Sequence, residues 1–242
     1  MTRFLASVRA PAEAEAALAS GADIIDLKDP AKGALGALAP GTITHCVAAV
    51  SGRAKVSATV GDLPMMPDLV RKSVVATAAT GVDYVKLGLF PGGDAQACLS
   101  VLAGEAKDIR LILVVFADAS PRFDAIGAAA GIGASGVMLD TARKDGRSLL
   151  DHLALDRIAG FVAGAHAEGL LVGLAGSLKA SHVPALLKLR PDLLGFRGAL
   201  CTNGTRGANL DREACAAVRA LILAAPRQAA PSARPELSAP LC

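Results

Sequence analysis

The sequence predicts a TIM (β/α)8 barrel of the α/β class, built as a single domain. Three observations carry that reading. Eight short apolar runs recur along the chain, separated by Ala-rich segments of helical character. The length of 242 residues suits one such barrel, which commonly spans about 200–250 residues. The main rival, a doubly wound open sheet, would carry a glycine-rich phosphate fingerprint in its first strand-to-helix turn. Here that turn reads "SVRAPAEA", without a glycine, and no GxGxxG or Walker A pattern occurs elsewhere.

The elements follow in order. Strand 1 is "FLASV" (4–8), and the helix after it opens at Pro11 and closes at Gly21. Strand 2, "DIIDLK" (23–28), mixes two kinds of residue. Ile24, Ile25 and Leu27 belong to packed layers, whereas Asp26 and Lys28, two apart, share a face. Such residues are seldom buried unless paired, so that face points into a functional cavity. The long loop "DPAKGALGAL" (29–38) follows, with Gly33 and Gly36. It is either a flexible connector or a lid.

Strand 3 is "KVSATVGD" (55–62), ending at Asp62, and its helix runs from Pro67 to Gly81. Strand 4, "YVKLGL" (84–89), carries Lys86 inside an apolar run. Strand 5, "RLILVVFAD" (110–118), ends at Asp118. Strand 6, "GVMLDT" (136–141), ends with Asp140, and the turn-like "RKDG" after it holds Lys144. Strand 7, "LLVGLAGS" (170–177), runs into Gly176 and Ser177. Strand 8, "LLGFRGAL" (193–200), contains Arg197 and Gly198, and a last helix covers 211–225. The catalytic domain is thus expected over 1–224. The remaining 225–242, rich in Pro, Ala and Ser, is expected to be disordered.

Composition narrows the function. The chain is 52% hydrophobic and 19% charged, so a large core is expected. Its net charge of +3 (25 basic minus 22 acidic) has no long basic run, and aromatics are only 3%. Both features argue against nucleic acid as a partner. The longest apolar stretch, "LILVVFA", is too short to span a bilayer, and Glu13 and Glu15 interrupt any signal-peptide core. A soluble cytoplasmic protein is expected, with no membrane partner. The five cysteines and four histidines lack metal-ligand spacing, so no metal and no cofactor are expected. The apolar "LILAA" end of the last helix, with the low charge, suggests a homo-oligomer.

Barrel enzymes place their chemistry at the C-terminal ends of the strands. There the sequence gathers Asp26, Lys28, Lys86, Asp140 and Lys144. Two lysines in a partly desolvated rim disfavour each other's charge. A neutral amine is what a Schiff-base nucleophile or a general base requires. Asp26 and Asp140 either orient these amines or merely keep them solvated as ion-pair partners. Lys144 is either a surface lysine or a group that reaches over the rim toward a phosphate or a proton. The turns at Gly176, Ser177, Arg197 and Gly198 occupy the usual barrel phosphate site after strands 7 and 8. A small phosphorylated substrate follows.

Six ordered stretches point further: "GADIIDLKDPAKGALGA", "VSATVGDLP", "GVDYVKLGL", "VMLDTARKDG", "GLAGSLK" and "GFRGALC". Together they resemble the (5-formylfuran-3-yl)methyl phosphate synthase family, also called 4-(hydroxymethyl)-2-furancarboxaldehyde-phosphate synthase, over residues 4 to 223. The resemblance implies a TIM-barrel lyase that condenses two molecules of glyceraldehyde 3-phosphate, with loss of phosphate and water. The furan aldehyde so formed serves methanofuran-type one-carbon carriers. It also implies Lys28 as the Schiff-base former, Lys86 as general acid/base, and Asp26, Asp140 and Lys144 as further site residues. One departure stands out. Where the family tends to read Gly-Tyr-Ala-Asp-Ala, this chain reads "VFADASPR", keeping Asp118 in a less polar setting. Other readings of the same residues are a Schiff-base aldolase of the deoxyribose-phosphate type, a sugar-phosphate isomerase, and a non-catalytic phosphate-binding barrel.

Overall fold

The computed structural model describes residues 1–119, 121 and 123–224. Its strands are β1 (Arg3–Val8), β2 (Ile24–Leu27), β3 (Lys55–Thr59), β4 (Tyr84–Gly88), β5 (Leu111–Phe116), β6 (Gly136–Asp140), β7 (Leu171–Leu174) and β8 (Leu193–Phe196). They close into one parallel barrel in sequence order, with β8 pairing back onto β1. The helical layer comprises α1 (Pro11–Ala19), α2 (Pro40–Val50), α3 (Pro67–Ala78), α4 (Ala95–Leu102) and α5 (Ala125–Gly131), then α6 (Leu149–His152), α7 (Leu155–Ala167), α8 (Val183–Leu187) and α9 (Arg212–Leu223).

A parallel sheet covered on both faces must be apolar on both. The strand sequences meet that demand by parity. Ile25, Leu27, Val56, Ala58, Val85 and Leu87 pack outward against the helices. Tyr84, Ile112, Val114, Phe116 and Met138 fill the lumen. Ile24 has the parity of Asp26 and Lys28. It sits deep in the lumen with Leu5, Ile112 and Met138, around a void of about 30 Å³. One alternation thus runs from packed floor to polar rim along β2.

Proline opens α1 and α3, as Pro11 and Pro67 predict, and also α2. Gly21 and Gly81 follow α1 and α3 with positive φ angles of 82° and 87°. The Asp211 carboxylate caps α9 by accepting from the Glu213 and Ala214 N–H groups. At the far end of α9, Ile222 turns into the core while Leu223 remains exposed. Among the described residues no helix is long and apolar enough to cross a membrane. The segment 225–242, expected to be disordered, lies outside the described residues.

Four strands end two or more residues sooner than the sequence suggests. β3 stops at Thr59, β5 at Phe116, β7 at Leu174 and β8 at Phe196. The cause is local. Asp62 and Asp118 leave the ladder to accept backbone hydrogen bonds from neighbouring loops. Gly176 takes φ 100° and Ser177 φ 47°, both outside the strand region. Ser177 and Arg197 therefore belong to loops at the C-terminal rim.

Candidate active site

Strand register builds the first half of the site. Asp26 is paired level with Ser7 on β1 and with Ser57 on β3. Equal level and equal parity bring all three side chains together in the lumen. The Ser7 hydroxyl donates to Asp26 Oδ2 at 2.9 Å, and the Ser57 hydroxyl donates to Oδ1 at 2.7 Å. Lys86 Nζ, from β4, donates to the same Oδ1 at 3.0 Å. Asp26 is fully buried and Lys86 nearly so. Burial opposes ionisation of Asp26. The charges of Lys86 and Lys28, with the hydrogen bonds from Ser57 and Lys86, outweigh it and hold the carboxyl below its ordinary range.

The second half is centred on Asp140, the last residue of β6. Its Oδ1 accepts from the Thr141 N–H at 2.7 Å and from Lys144 Nζ at 2.9 Å. Its Oδ2 lies 3.7 Å from Lys28 Nζ. One buried carboxylate thus bridges two lysines. Burial again opposes its charge, but Lys144 and Lys28 and these hydrogen bonds hold its pKa well below the usual carboxylate range. Lys144 also donates to the Thr141 carbonyl (2.5 Å) and hydroxyl (3.1 Å). Its pKa is pushed down, first by burial and then by the nearby charges of Lys28 and Arg206, against the pull of Asp140. The sequence placed the two strand lysines against each other. In the structure each has a carboxylate of its own, Asp26 for Lys86 and Asp140 for Lys28.

These groups share one cavity of about 440 Å³ at the C-terminal rim, which Gly176, Ser177, Arg197 and Gly198 also line. Gly176 is confined to glycine twice over. Its φ is 100°, and an added Cβ would lie 3.0 Å from the Thr141 methyl group and 3.1 Å from its nitrogen. The β7 turn is therefore seated directly on the backbone that carries Asp140. Arg197 is a different matter. Its Nη1 and Nη2 grip Glu13 of α1 at 2.6 and 3.2 Å. Further donors go to the carbonyls of Ser7, Arg206 and Ala208. The side chain expected to face a phosphate is held by the protein instead, and it braces the loop after β8.

Two carboxylates at strand ends act on loops. Asp62 accepts from the N–H groups of Ala34 and Leu35 at 2.8 and 2.7 Å. With Leu35 fully buried, the 29–38 segment is a fastened plug over the lumen. An added Cβ on Gly33 would collide with the Asp62 carboxylate. Asp118 accepts from the N–H groups of Ala142 and Arg143, both at 2.7 Å. Among the described residues, no cluster of three or more His, Cys, Asp or Glu is placed to hold a metal ion.

Sequence reasoning missed Ser7, Ser57, Thr141, Glu13 and Arg206. A signal existed for the serines. Each is a small polar residue in the middle of a largely apolar strand, at the parity that strand pairing sets level with Asp26. Glu13 and Arg206 gave none, because their contacts cross 184 and 173 residues of chain.

The family model described as 4-HFC-P synthase matches residues 4–219. A Methylorubrum extorquens relative is 43% identical over 225 residues, covering 93% of this chain and 93% of its own. The (5-formylfuran-3-yl)methyl phosphate synthase of Methanococcus maripaludis is 37% identical over 218 residues, covering 85% of this chain and 92% of its own. Among solved structures, phosphoribosyl anthranilate isomerase from Thermus thermophilus superposes with a TM-score of 0.64 at 17% identity, covering 92% of this chain and 98% of that one. That likeness is one of fold. The match over nearly the whole barrel shows that the chain belongs to the (5-formylfuran-3-yl)methyl phosphate synthase family.

Proposed function

We propose that this chain condenses two molecules of glyceraldehyde 3-phosphate into (5-formylfuran-3-yl)methyl phosphate, through an imine on Lys28, as a lyase supplying methanofuran-type one-carbon carriers. The observation that carries it is the pair of buried ion clusters, Lys86–Asp26 and Lys28–Asp140–Lys144, facing one cavity. Atoms balance when two triose phosphates lose one inorganic phosphate and two waters. One phosphate ester remains on the product.

Each cluster suits one task. The Lys28 amine attacks an aldehyde carbon, forming the C–N bond. The carbinolamine then loses its hydroxyl as water, and Lys144, bound to Asp140, supplies the proton. The imine so formed withdraws electrons from the adjacent carbon. Lys86 takes the proton alpha to a carbonyl and returns it when a hydroxyl or phosphate leaves. Asp26 and Asp140 hold the cationic intermediates and keep the amines aimed at the cavity. The turns at Gly176–Ser177 and Gly198 offer backbone N–H groups to the phosphates.

The test is borohydride reduction during turnover. Incubation with glyceraldehyde 3-phosphate is expected to leave a covalent adduct on Lys28, located by peptide mass mapping, while unreduced samples develop furan-aldehyde absorbance. An adduct without a furan product would turn the reading to an aldolase that stops at the carbon–carbon bond. The absence of both overturns it.

A further inference from the structure

The charges that line the cavity do not cancel. Lys86 is matched by Asp26, Lys28 and Lys144 share Asp140, and Arg197 is matched by Glu13. Arg206, on the loop between β8 and α9, lines the same cavity. It has no carboxylate within ion-pair distance among the described residues. A guanidinium offers five N–H donors. The one side-chain hydrogen bond of Arg206 among the described residues runs from Nη2 to the Gly33 carbonyl, at 2.8 Å.

Its position is built. Arg197 Nε donates to the Arg206 carbonyl at 2.8 Å, and Nη2 donates to that of Ala208 at 2.9 Å. The buried Arg197–Glu13 pair is thus the post on which the Arg206 loop hangs. An added Cβ on Gly198 would lie 4.0 Å from Arg206 Cβ, so the Arg206 backbone flanks the Gly198 turn. From there the side chain crosses to the 29–38 segment, which Asp62 fastens from the other side. Partial burial disfavours the Arg206 charge, and Arg197 adds repulsion, although Asp140, Asp62 and Asp29 offset part of this. A fork of donors is held half-buried at the mouth of a cavity, with most of its donors uncommitted. A dianionic phosphate ester completes that arrangement, because a guanidinium can grip two of its oxygens at once.

We propose that Arg206 binds a phosphate monoester of the substrate, with Arg197 as the residue that positions it. This deepens the proposed reaction and rests on its phosphorylated substrates. The probe is glycerol 3-phosphate, which has no carbonyl and forms no imine, measured by titration calorimetry with glycerol as the uncharged control. Arg206→Gln keeps a donor for the Gly33 carbonyl and removes the charge. It is expected to weaken glycerol 3-phosphate binding about 10- to 100-fold, the range for a charge-assisted hydrogen bond, with its melting temperature and its response to glycerol unchanged. Arg206→Lys keeps the charge without the fork and should fall between the two.

A folded Arg206→Gln with wild-type affinity overturns the assignment. If Arg206→Gln does not fold, Arg206→Lys decides alone, and wild-type affinity there overturns it equally. The two proposals separate cleanly. A protein that makes no furan but loses phosphate binding in Arg206→Gln keeps this inference and loses the reaction. One that makes the furan while Arg206→Gln binds normally does the reverse.

Discussion

Lys86 Nζ lies 3.0 Å from Asp26 Oδ1, and the pair is almost wholly sealed from solvent within the barrel lumen. Neither charge is tolerable there alone. Replacing Lys86 by Met leaves Asp26 buried with its two serine hydrogen bonds and, for a cation, only the charge of Lys28 beyond ion-pair distance. Breaking a buried pair in this way costs about 3–5 kcal/mol. The double variant Asp26→Asn/Lys86→Met removes both charges and is expected to recover a large part of that loss. Urea denaturation of the three proteins measures it. A double variant no more stable than Lys86→Met would show that the pair is not energetically coupled.

The same logic sets the acid stability. Asp26 and Asp140 have folded-state pKa values below those of unfolded carboxylates. A depressed carboxyl stabilises the fold fully above its unfolded pKa, about 3.9 for Asp, and the contribution is lost as pH falls through the folded value. Stability from these two groups is therefore expected to be level near neutrality and to decline below about pH 4. Asp140→Asn should be less stable at pH 7, where Lys28 and Lys144 lose their shared anion, and should show a shallower acid decline. Denaturation midpoints measured across the acid range would reveal parallel curves if Asp140 had no part in this.

Lys28→Arg separates charge from nucleophilicity. Arginine preserves a cation beside Asp140, so the barrel should keep its stability to within about 1 kcal/mol, the centre of the range for single substitutions. A guanidinium stays protonated and forms no imine under these conditions. Borohydride trapping and furan formation are both expected to vanish. Residual turnover above about a thousandth of wild type, far more than survives the roughly millionfold loss on removing a covalent nucleophile, would take Lys28 out of that role.

Much of this molecule was legible in its sequence, and the reason is parity. In a barrel, alternation along a strand maps directly onto lumen or helix layer. Asp26, Lys28, Lys86 and Asp140 could therefore be assigned to the rim before any coordinates. Three of the six stretches that carry the family resemblance draw on these strands, β2, β4 and β6, and the other three draw on β3, β7 and β8, each with part of the loop after it. What parity does not encode is which loop atom a rim residue meets. Arg197 looked like a phosphate ligand because its position after β8 is the usual one, yet Glu13, on the first helix, takes its guanidinium. Arg206 sits in "TNGTRGAN", which reads as a plain turn. The 29–38 segment, for its glycines, read as either a flexible connector or a lid. Gly33 is there to admit the Asp62 carboxylate, which pins the segment down.

Asp118 offers the sharpest test of how such loop contacts reach the chemistry. Its carboxylate receives the N–H groups of Ala142 and Arg143 and touches neither Lys28 nor Lys86. Those two residues lie between Thr141, whose oxygens hold the Lys144 amine, and Lys144 itself. Asp118 therefore fixes the path of the chain that presents Lys144 to Asp140. Asp118→Ala frees both N–H groups. Hydrogen bonds to a charged acceptor contribute about 1.5–3 kcal/mol each when buried, and these two are only partly so. The expected loss of stability is about 1–3 kcal/mol. The catalytic effect should be specific. If Asp118 positions Lys144, kcat falls about 10- to 100-fold, part of the roughly 100- to 10,000-fold that a positioned acid or base contributes, while KM changes little. The pH–rate profile should also lose the limb that Lys144 supplies, and Asp118→Asn, which retains one acceptor oxygen, should recover part of the rate. A variant that loses stability yet keeps the wild-type pH profile would make Asp118 a loop anchor alone.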